Sequence, residues 1–232
     1  MGDFLWLAVI AGFLAIDHRA GWHSLLAHPV FTAFLVGSLF GEPTGAFAVG
    51  VSLELVYLSI LPMRGTKLPD QVAGGVVGAG TTVLLIRHGG EGSTLVVCSM
   101  GIFLGLVAGE VGARMIAPFF SMHNRFLGGL EFASRGDARA AKRRLGWVYA
   151  GSLAYLFVVE GLTALLMIPV AYYVAERATR IVHASLERGA GVWSSLVAAI
   201  LAVSVIYLFW QHRFRVVLAA CAAAAVVILW LV

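Results

Sequence analysis

The sequence predicts an all-α, polytopic integral membrane protein, and three observations carry that prediction. The 232 residues are 60% hydrophobic and only 12% charged, with a mean hydropathy of +0.92, whereas soluble domains hold about 45–50% apolar and about 25% charged residues. A water-soluble fold of this length cannot hide so much apolar surface, because a large part of any folded surface faces solvent. The apolar residues also fall into separate runs, giving about seven to nine hydrophobic segments, some short or re-entrant. Finally, the charges gather in one extended polar stretch instead of being spread along the chain. These features exclude a disordered chain, a secreted disulfide scaffold and an ordinary cytosolic enzyme. Cys98 and Cys221 both lie in apolar runs and indicate no disulfide framework.

The first segment, about 3–16, is expected to be a membrane helix and not a cleaved leader. Asp3 stands where a cleavable signal carries Lys or Arg, and Asp17, His18 and Arg19 follow where small residues would mark a cleavage site. The next two segments, about 30–42 and 44–61, are short and broken by Gly37, Gly41, Gly45 and Gly50. Two readings stand for them: half-helices and re-entrant hairpins of the kind that line transporter sites, or glycine faces that let ordinary membrane helices pack closely. The segment at about 71–87 contains GGVVGAG over 74–80, without the Lys-Ser/Thr that completes a phosphate-binding loop, so its glycines are read as packing. Segments at about 94–118, 146–173, 192–209 and 216–232 are longer and cleaner. A GxxxGE pattern occurs at Gly37/Gly41/Glu42 and again at Gly105/Gly109/Glu110, a weak echo that chance also produces.

Between these spans lies a polar segment, about 119–145, with Arg125, Arg135, Arg139, Lys142, Arg143 and Arg144 against Glu131 and Asp137. Excess Lys and Arg mark the cytoplasmic side, and the composition from Asp137 to Leu145 suits a surface helix or helical hairpin. Arg213 and Arg215, two spans later, fall on the same side. One basic loop among spans is not a nucleic-acid-binding surface. The chain is read as a single membrane domain, 1–232.

Ionisable residues within hydrocarbon cost at least about 2.5–3.5 kcal/mol each on insertion scales and therefore need a reason. Glu42, Glu54, Glu110 and Glu160 all lie in or beside apolar runs; Glu160 alone is read as a structural carboxyl bonded to a neighbouring helix. Glu54 is followed by PMRGTKLPD at 62–70, where Pro62 and Pro69 prevent a continuous helix and Gly65 permits a tight turn or close approach to a ligand. Asp70 is placed to cap the helix that begins at Gln71. Alternatively, Glu54 and Asp70 accept hydrogen bonds from the hydroxyls of a polar solute such as a sugar, with Arg64, Lys67 and loop amides as donors. Both readings stand on the residues. His18, His23 and His28 are five residues apart with nothing to complete a tetrahedral metal site, and no GxSxG elbow occurs. No metal, cofactor or active site of the chain's own is expected.

The run HPVFTAFLVGSLFGEPTGAFAVGVSLELVYLSILPMRGTKLPDQVAG, 28–74, resembles the IIC membrane subunit of the mannose/fructose/sorbose family of the bacterial sugar phosphotransferase system. The likeness rests on Pro29, Gly41-Glu42, Thr44-Gly45, Leu53-Glu54, Gly65 and Pro69-Asp70, and continues more weakly to about 155 through His123-Asn124 and 147–153. The resemblance implies a multi-pass subunit of the bacterial cytoplasmic (inner) membrane that binds a hexose-type sugar with a second membrane subunit, IID. The sugar then passes to a cytosolic IIB for phosphorylation, fed by HPr and IIA, and the IIC chain carries no phosphorylated residue. It also implies a trimer of IIC–IID pairs and an elevator-like shift of one domain against another. Carried over by position, the sugar-binding residues are Glu54, Gly65 and Asp70, with Thr66 and Lys67 beside them. Departures from the family pattern are Pro62 where Asn is frequent, and the cations Arg64 and Lys67 where residues are smaller. A non-transporting scaffold or regulatory homologue, and an unrelated ion-coupled carrier using Glu42, Glu54 and Glu110, are the alternatives.

Overall fold

The computed structural model describes residues 2–19, 25–59, 69–89, 94–133 and 138–186. Among the described residues the chain forms six α-helices and one short 3-10 turn. They are α1 (Gly2–Arg19), α2 (Pro29–Phe40), α3 (Pro43–Ser59), α4 (Gln71–Arg87), α5 (Thr94–Ala133) and α6 (Ala138–Leu186), with the turn at Leu25–Ala27. The anticipated segments at 192–209 and 216–232 lie outside the described residues, as do Cys221, Arg213 and Arg215.

Helix α2 begins where the sequence allows it. Pro29 occupies its first turn, where a missing N–H costs nothing. It ends at Gly41, whose φ of 84° is left-handed and whose N–H returns to the Gly37 carbonyl. Pro43 then opens α3 directly, and the two helices fold back antiparallel. A Cβ at Gly37 would come within 2.7 Å of Ala46 Cβ, and one at Gly50 within 2.5 Å of Ala33 Cβ. At about 1.5 Å per residue, the 12 residues of α2 reach only about 18 Å, short of the roughly 30 Å hydrocarbon layer. The hairpin therefore has the length of the re-entrant reading and the glycine contacts of the packing reading. The two GxxxGE patterns part here: Gly41 ends α2, while Gly109 lies within the unbroken α5.

Helix α4 is the axis of the molecule. Every residue from Val72 to Leu85 is buried, and α1, α2, α3, α5 and α6 all pack against it. In lipid the hydrophobic effect does not favour one helix contact over another, so close van der Waals packing must supply the association. Glycines provide it. Helices α4 and α5 run antiparallel with Gly74 and Gly78 against Gly105 and Gly101, close enough that a Cβ at Gly105 would lie 2.8 Å from the Gly74 carbonyl oxygen. Thr82 fills the space above Gly101 and turns its hydroxyl to the Gly78 carbonyl, 3.0 Å away. The glycine-rich 74–80 is thus a packing surface, as the sequence indicates.

Helix α1 lies against both α4 and α6. Leu7 packs on Gly80, Gly12 on Phe157 and Gly161 on Ala8, while Phe13 meets Phe157 edge-on at 5.2 Å. One end is pinned by Arg87 to Asp3 at 3.5 Å and by Tyr172 between Phe4 and His88. Helices α5 and α6 are longer than the apolar segments anticipated for them, because the flanking Ala, Arg and Lys residues sustain a helix beyond the point where hydropathy falls. Their apolar parts, Thr94–Pro118 and Lys142–Arg180, are each long enough to cross a membrane.

Candidate functional site

Pro69 and Asp70 start α4 by a local mechanism. Asp70 has extended backbone angles, φ −78° and ψ 108°, and its Oδ1 accepts from the N–H groups of Val72 at 3.0 Å and Ala73 at 3.2 Å. The anticipated helix cap is present, with its negative charge at the positive end of the helix dipole. The same residue also makes tertiary contacts. Its backbone N–H donates to the Gly109 carbonyl of α5 at 2.8 Å. Its Oδ2 accepts from the guanidinium of Arg19, at the last turn of α1. Gly112 leaves room for this, since a Cβ there would sit 2.9 Å from Asp70 Cβ. Asp70 therefore ties α1, α4 and α5 together while being only 1% exposed.

Glu160 approaches the same pair from α6. It is 1% exposed and lies beside the Asp70 carboxyl and within electrostatic reach of Arg19. Among the described residues no N–H or hydroxyl donor reaches its oxygens, and its side chain lies within hydrogen-bonding reach of the Asp70 carboxyl. Its place in the chain matters, because it sits near the middle of the 39-residue apolar stretch Lys142–Arg180. The ends of α1 and α4 that carry Arg19 and Asp70 thus meet near the middle of the apolar stretch of α6. The sequence reading of Glu160 as a structural carboxyl bonded to a neighbouring helix fits this burial against Asp70 at the start of α4.

Glu54 stands about one and a half turns before Ser59, the last described residue of α3. Its Oε1 lies 2.9 Å from Nδ1 of His28, the residue preceding α2, while its Oε2 is buried without a hydrogen-bond partner among the described residues. One turn further on, Tyr57 places its hydroxyl among Gly74, Gly105 and Gly109 and donates to the Gly105 carbonyl at 3.4 Å. Thr32 locks the start of α2 by donating its hydroxyl to the Leu26 carbonyl at 2.8 Å.

The two acids therefore lie on α3 and at the start of α4, and their basic partners lie at the end of α1 and the start of α2. Glu54 and Asp70 are each paired with a base, not bonded to one another. Gly65, Thr66 and Lys67, with Pro62 and Arg64, fall within 60–68, outside the described residues. The sequence reading omitted Arg19 and His28 from the site. Their partners are 51 and 26 residues away, and the only local signal is a cation or imidazole at the edge of an apolar run. Glu110 has a surface setting, 3.6 Å from Arg114 one turn along α5 with both side chains partly exposed.

The sequence matches, over residues 2–229, the family model described as the sorbose-specific IIC component of the phosphotransferase system. The chain belongs to that family. A solved structure described as "Structure of membrane protein" shares its fold, covering 100% of this chain and 95% of its own at 14% identity with a TM-score of 0.58. A comparison with curated protein sequences gives no significant match. As a sorbose-type IIC component the protein is a membrane transport subunit of a sugar phosphotransferase system, associated with other components of that system such as IID and IIB.

Proposed function

We propose that this IIC subunit binds a hexose-type sugar of the mannose, fructose or sorbose class within the bacterial cytoplasmic membrane. It passes the sugar inward for phosphorylation by IIB. IID completes the transport unit, IIA and HPr supply the phosphoryl group indirectly, and the IIC chain has no phosphorylated residue of its own. The assembly is a trimer of IIC–IID pairs. Glu54 and Asp70 accept hydrogen bonds from sugar hydroxyls, and Gly65, Thr66 and Lys67 approach the sugar from the connection between α3 and α4.

The observation that supports this reading best is the position of Asp70. It is a buried carboxylate at the start of the central helix, close to Glu160 in the middle of the apolar stretch of α6, and non-helical backbone at membrane depth is tolerated where it lines a cavity. Glu54 adds a second carboxylate, one oxygen of which has no partner among the described residues, an acceptor suited to a hydroxyl.

The test is uptake of radiolabelled mannose, fructose and sorbose by cells expressing the chain with its IID and IIB partners. At least one sugar is expected to be accumulated as its phosphate, and Glu54→Gln is expected to abolish this while the subunit remains in the membrane. Asp70→Asn is expected to weaken sugar binding more than it weakens assembly with IID. Uptake unchanged by both substitutions would reduce the chain to a scaffold.

A further inference from the structure

The first turn of α2 is clamped by glycines of its neighbours. A Cβ at Gly50 of α3 would lie 2.7 Å from the Pro29 carbonyl oxygen and 3.1 Å from Val30 Cα, and one at Gly75 of α4 would lie 3.3 Å from Pro29 Cα. The turn leading into it is closed by the His28 N–H on the Leu25 carbonyl at 3.1 Å and by the Thr32 hydroxyl on the Leu26 carbonyl at 2.8 Å. His28 thus has a fixed backbone, and Glu54 lies one helical turn beyond Gly50 on the same face of α3. At the residue that opens a helix, a side chain ordinarily accepts from the first free N–H groups. His28 makes no such bond. Its imidazole reaches instead across to α3, where Nδ1 lies 2.9 Å from Glu54 Oε1. An ionised carboxylate only accepts, which assigns the ring hydrogen to Nδ1. The other oxygen, Oε2, is buried with no partner among the described residues. One oxygen of Glu54 is held and one is left open.

We infer that His28 is a positioning residue for sugar binding: its Nδ1–H anchors Oε1 of Glu54, so that Oε2 is the oxygen offered to a sugar hydroxyl. An untethered glutamate side chain samples several rotamers, and fixing it when sugar arrives would subtract from the binding energy. The imidazole fixes it beforehand, from a backbone that Gly50 and Gly75 hold in place. A single N–H on a rigid ring suits this task, because it engages one oxygen, whereas a guanidinium fork is shaped to engage both. The two acids of the site differ in this respect. Asp70 has both oxygens occupied, by N–H groups of α4 and by Arg19, while Glu54 has one occupied by His28. Glu54 is therefore the acceptor that needs no rearrangement. The role of His28 rests on the proposed sugar contact of Glu54, yet it can fail while that contact stands.

The experiment measures uptake of whichever labelled sugar the parent accumulates (mannose, fructose or sorbose), in cells expressing the full chain with IID and IIB. Two variants are compared: His28→Leu, which keeps bulk without a donor, and His28→Asn, whose amide N–H can stand where Nδ1 does. His28→Leu is expected to raise KM about tenfold with the maximal rate within about twofold, the pattern of weakened binding with transport intact. His28→Asn is expected to recover most of that loss, to within about threefold of the parent KM. A parent-like KM in His28→Leu, with Glu54→Gln still defective, overturns the role of His28 and leaves the sugar reading intact. An equal rise in KM for both variants also overturns it, because the shape of the ring and not its N–H would then matter. Normal uptake by Glu54→Gln removes the sugar contact of Glu54 and the role of His28 with it. Where His28→Leu does not accumulate in the membrane, His28→Ala takes its place. Loss of both from the membrane overturns the role, since the imidazole would then be a tie between α2 and α3 on which the fold depends.

Discussion

At the scale of single residues, the arithmetic of the buried cluster dictates which loss hurts most. Removing Asp70 or Glu160 from a set of one cation and two carboxyls leaves a pair; removing Arg19 leaves two carboxyls facing each other. Breaking a buried pair by deleting one partner costs about 3–5 kcal/mol. Arg19→Met is therefore expected to reach that range, and Asp70→Ser to cost clearly less, as measured by denaturant or thermal unfolding in detergent. A larger loss for Asp70→Ser would mean that the cap and the contact with α5 outweigh the charge balance. This cluster was only partly legible in the sequence. Asp70 could be named, and its capping role read, because Pro69-Asp70 before an apolar run is a local signal. Arg19 could not, because a pairing across 51 residues leaves no trace in local composition. Glu160 was visible as an anomaly within a span, but its neighbours follow only from how α1, α4 and α6 pack.

At the scale of elements, glycines do two different jobs, and substitution separates them. A methyl group at Gly105 would come within 2.8 Å of the Gly74 carbonyl oxygen and 3.2 Å of Gly78 Cα, backbone atoms of a packed helix that cannot step aside. Gly105→Ala is expected to destabilise the fold by about 1–3 kcal/mol through overpacking. At Gly151 nothing among the described residues lies within 4 Å of the added carbon, so Gly151→Ala is expected to be neutral or to stabilise by up to about 1 kcal/mol through helix propensity alone. Thermal unfolding of the two variants side by side checks both signs. The contrast also explains which boundaries could be read. Helix α4 runs from Gln71 to Arg87, the span given by the sequence, because a capping aspartate and a charged end bracket it. The ends of α5 and α6 lay beyond the hydropathy signal, since helical propensity continues into the polar residues after the apolar ones. Gly105 and Gly151 look alike in the sequence; only the antiparallel register of α4 and α5 tells them apart.

For the whole molecule, the decisive expectation concerns how α6 crosses the bilayer. On its apolar stretch, Lys142–Arg180, Leu162, Leu166, Val170 and Tyr173 are exposed among the described residues, a surface suited to lipid or a second membrane subunit. At about 1.5 Å per residue, these 39 residues extend about 58 Å, more than the roughly 30 Å hydrocarbon layer, so both ends emerge into water. The basic residues Lys142, Arg143 and Arg144 place the first end on the cytoplasmic side. With Cys98 and Cys221 replaced by serine, Lys142→Cys is expected to react with a membrane-impermeant maleimide only in inside-out vesicles. Arg180→Cys is expected to react only in right-side-out vesicles. Labelling of both from one side would mean that α6 does not cross, and Glu160 would then lose its place at the bilayer centre. Opposite labelling fixes α1 and α4 as well, because α1 is registered to α6 through Phe4 and Gly12 and to α4 through the Arg19–Asp70 pair. The ends that carry the paired acids and bases then lie far from either aqueous face, where a polar solute in transit has the most need of hydrogen-bonding partners.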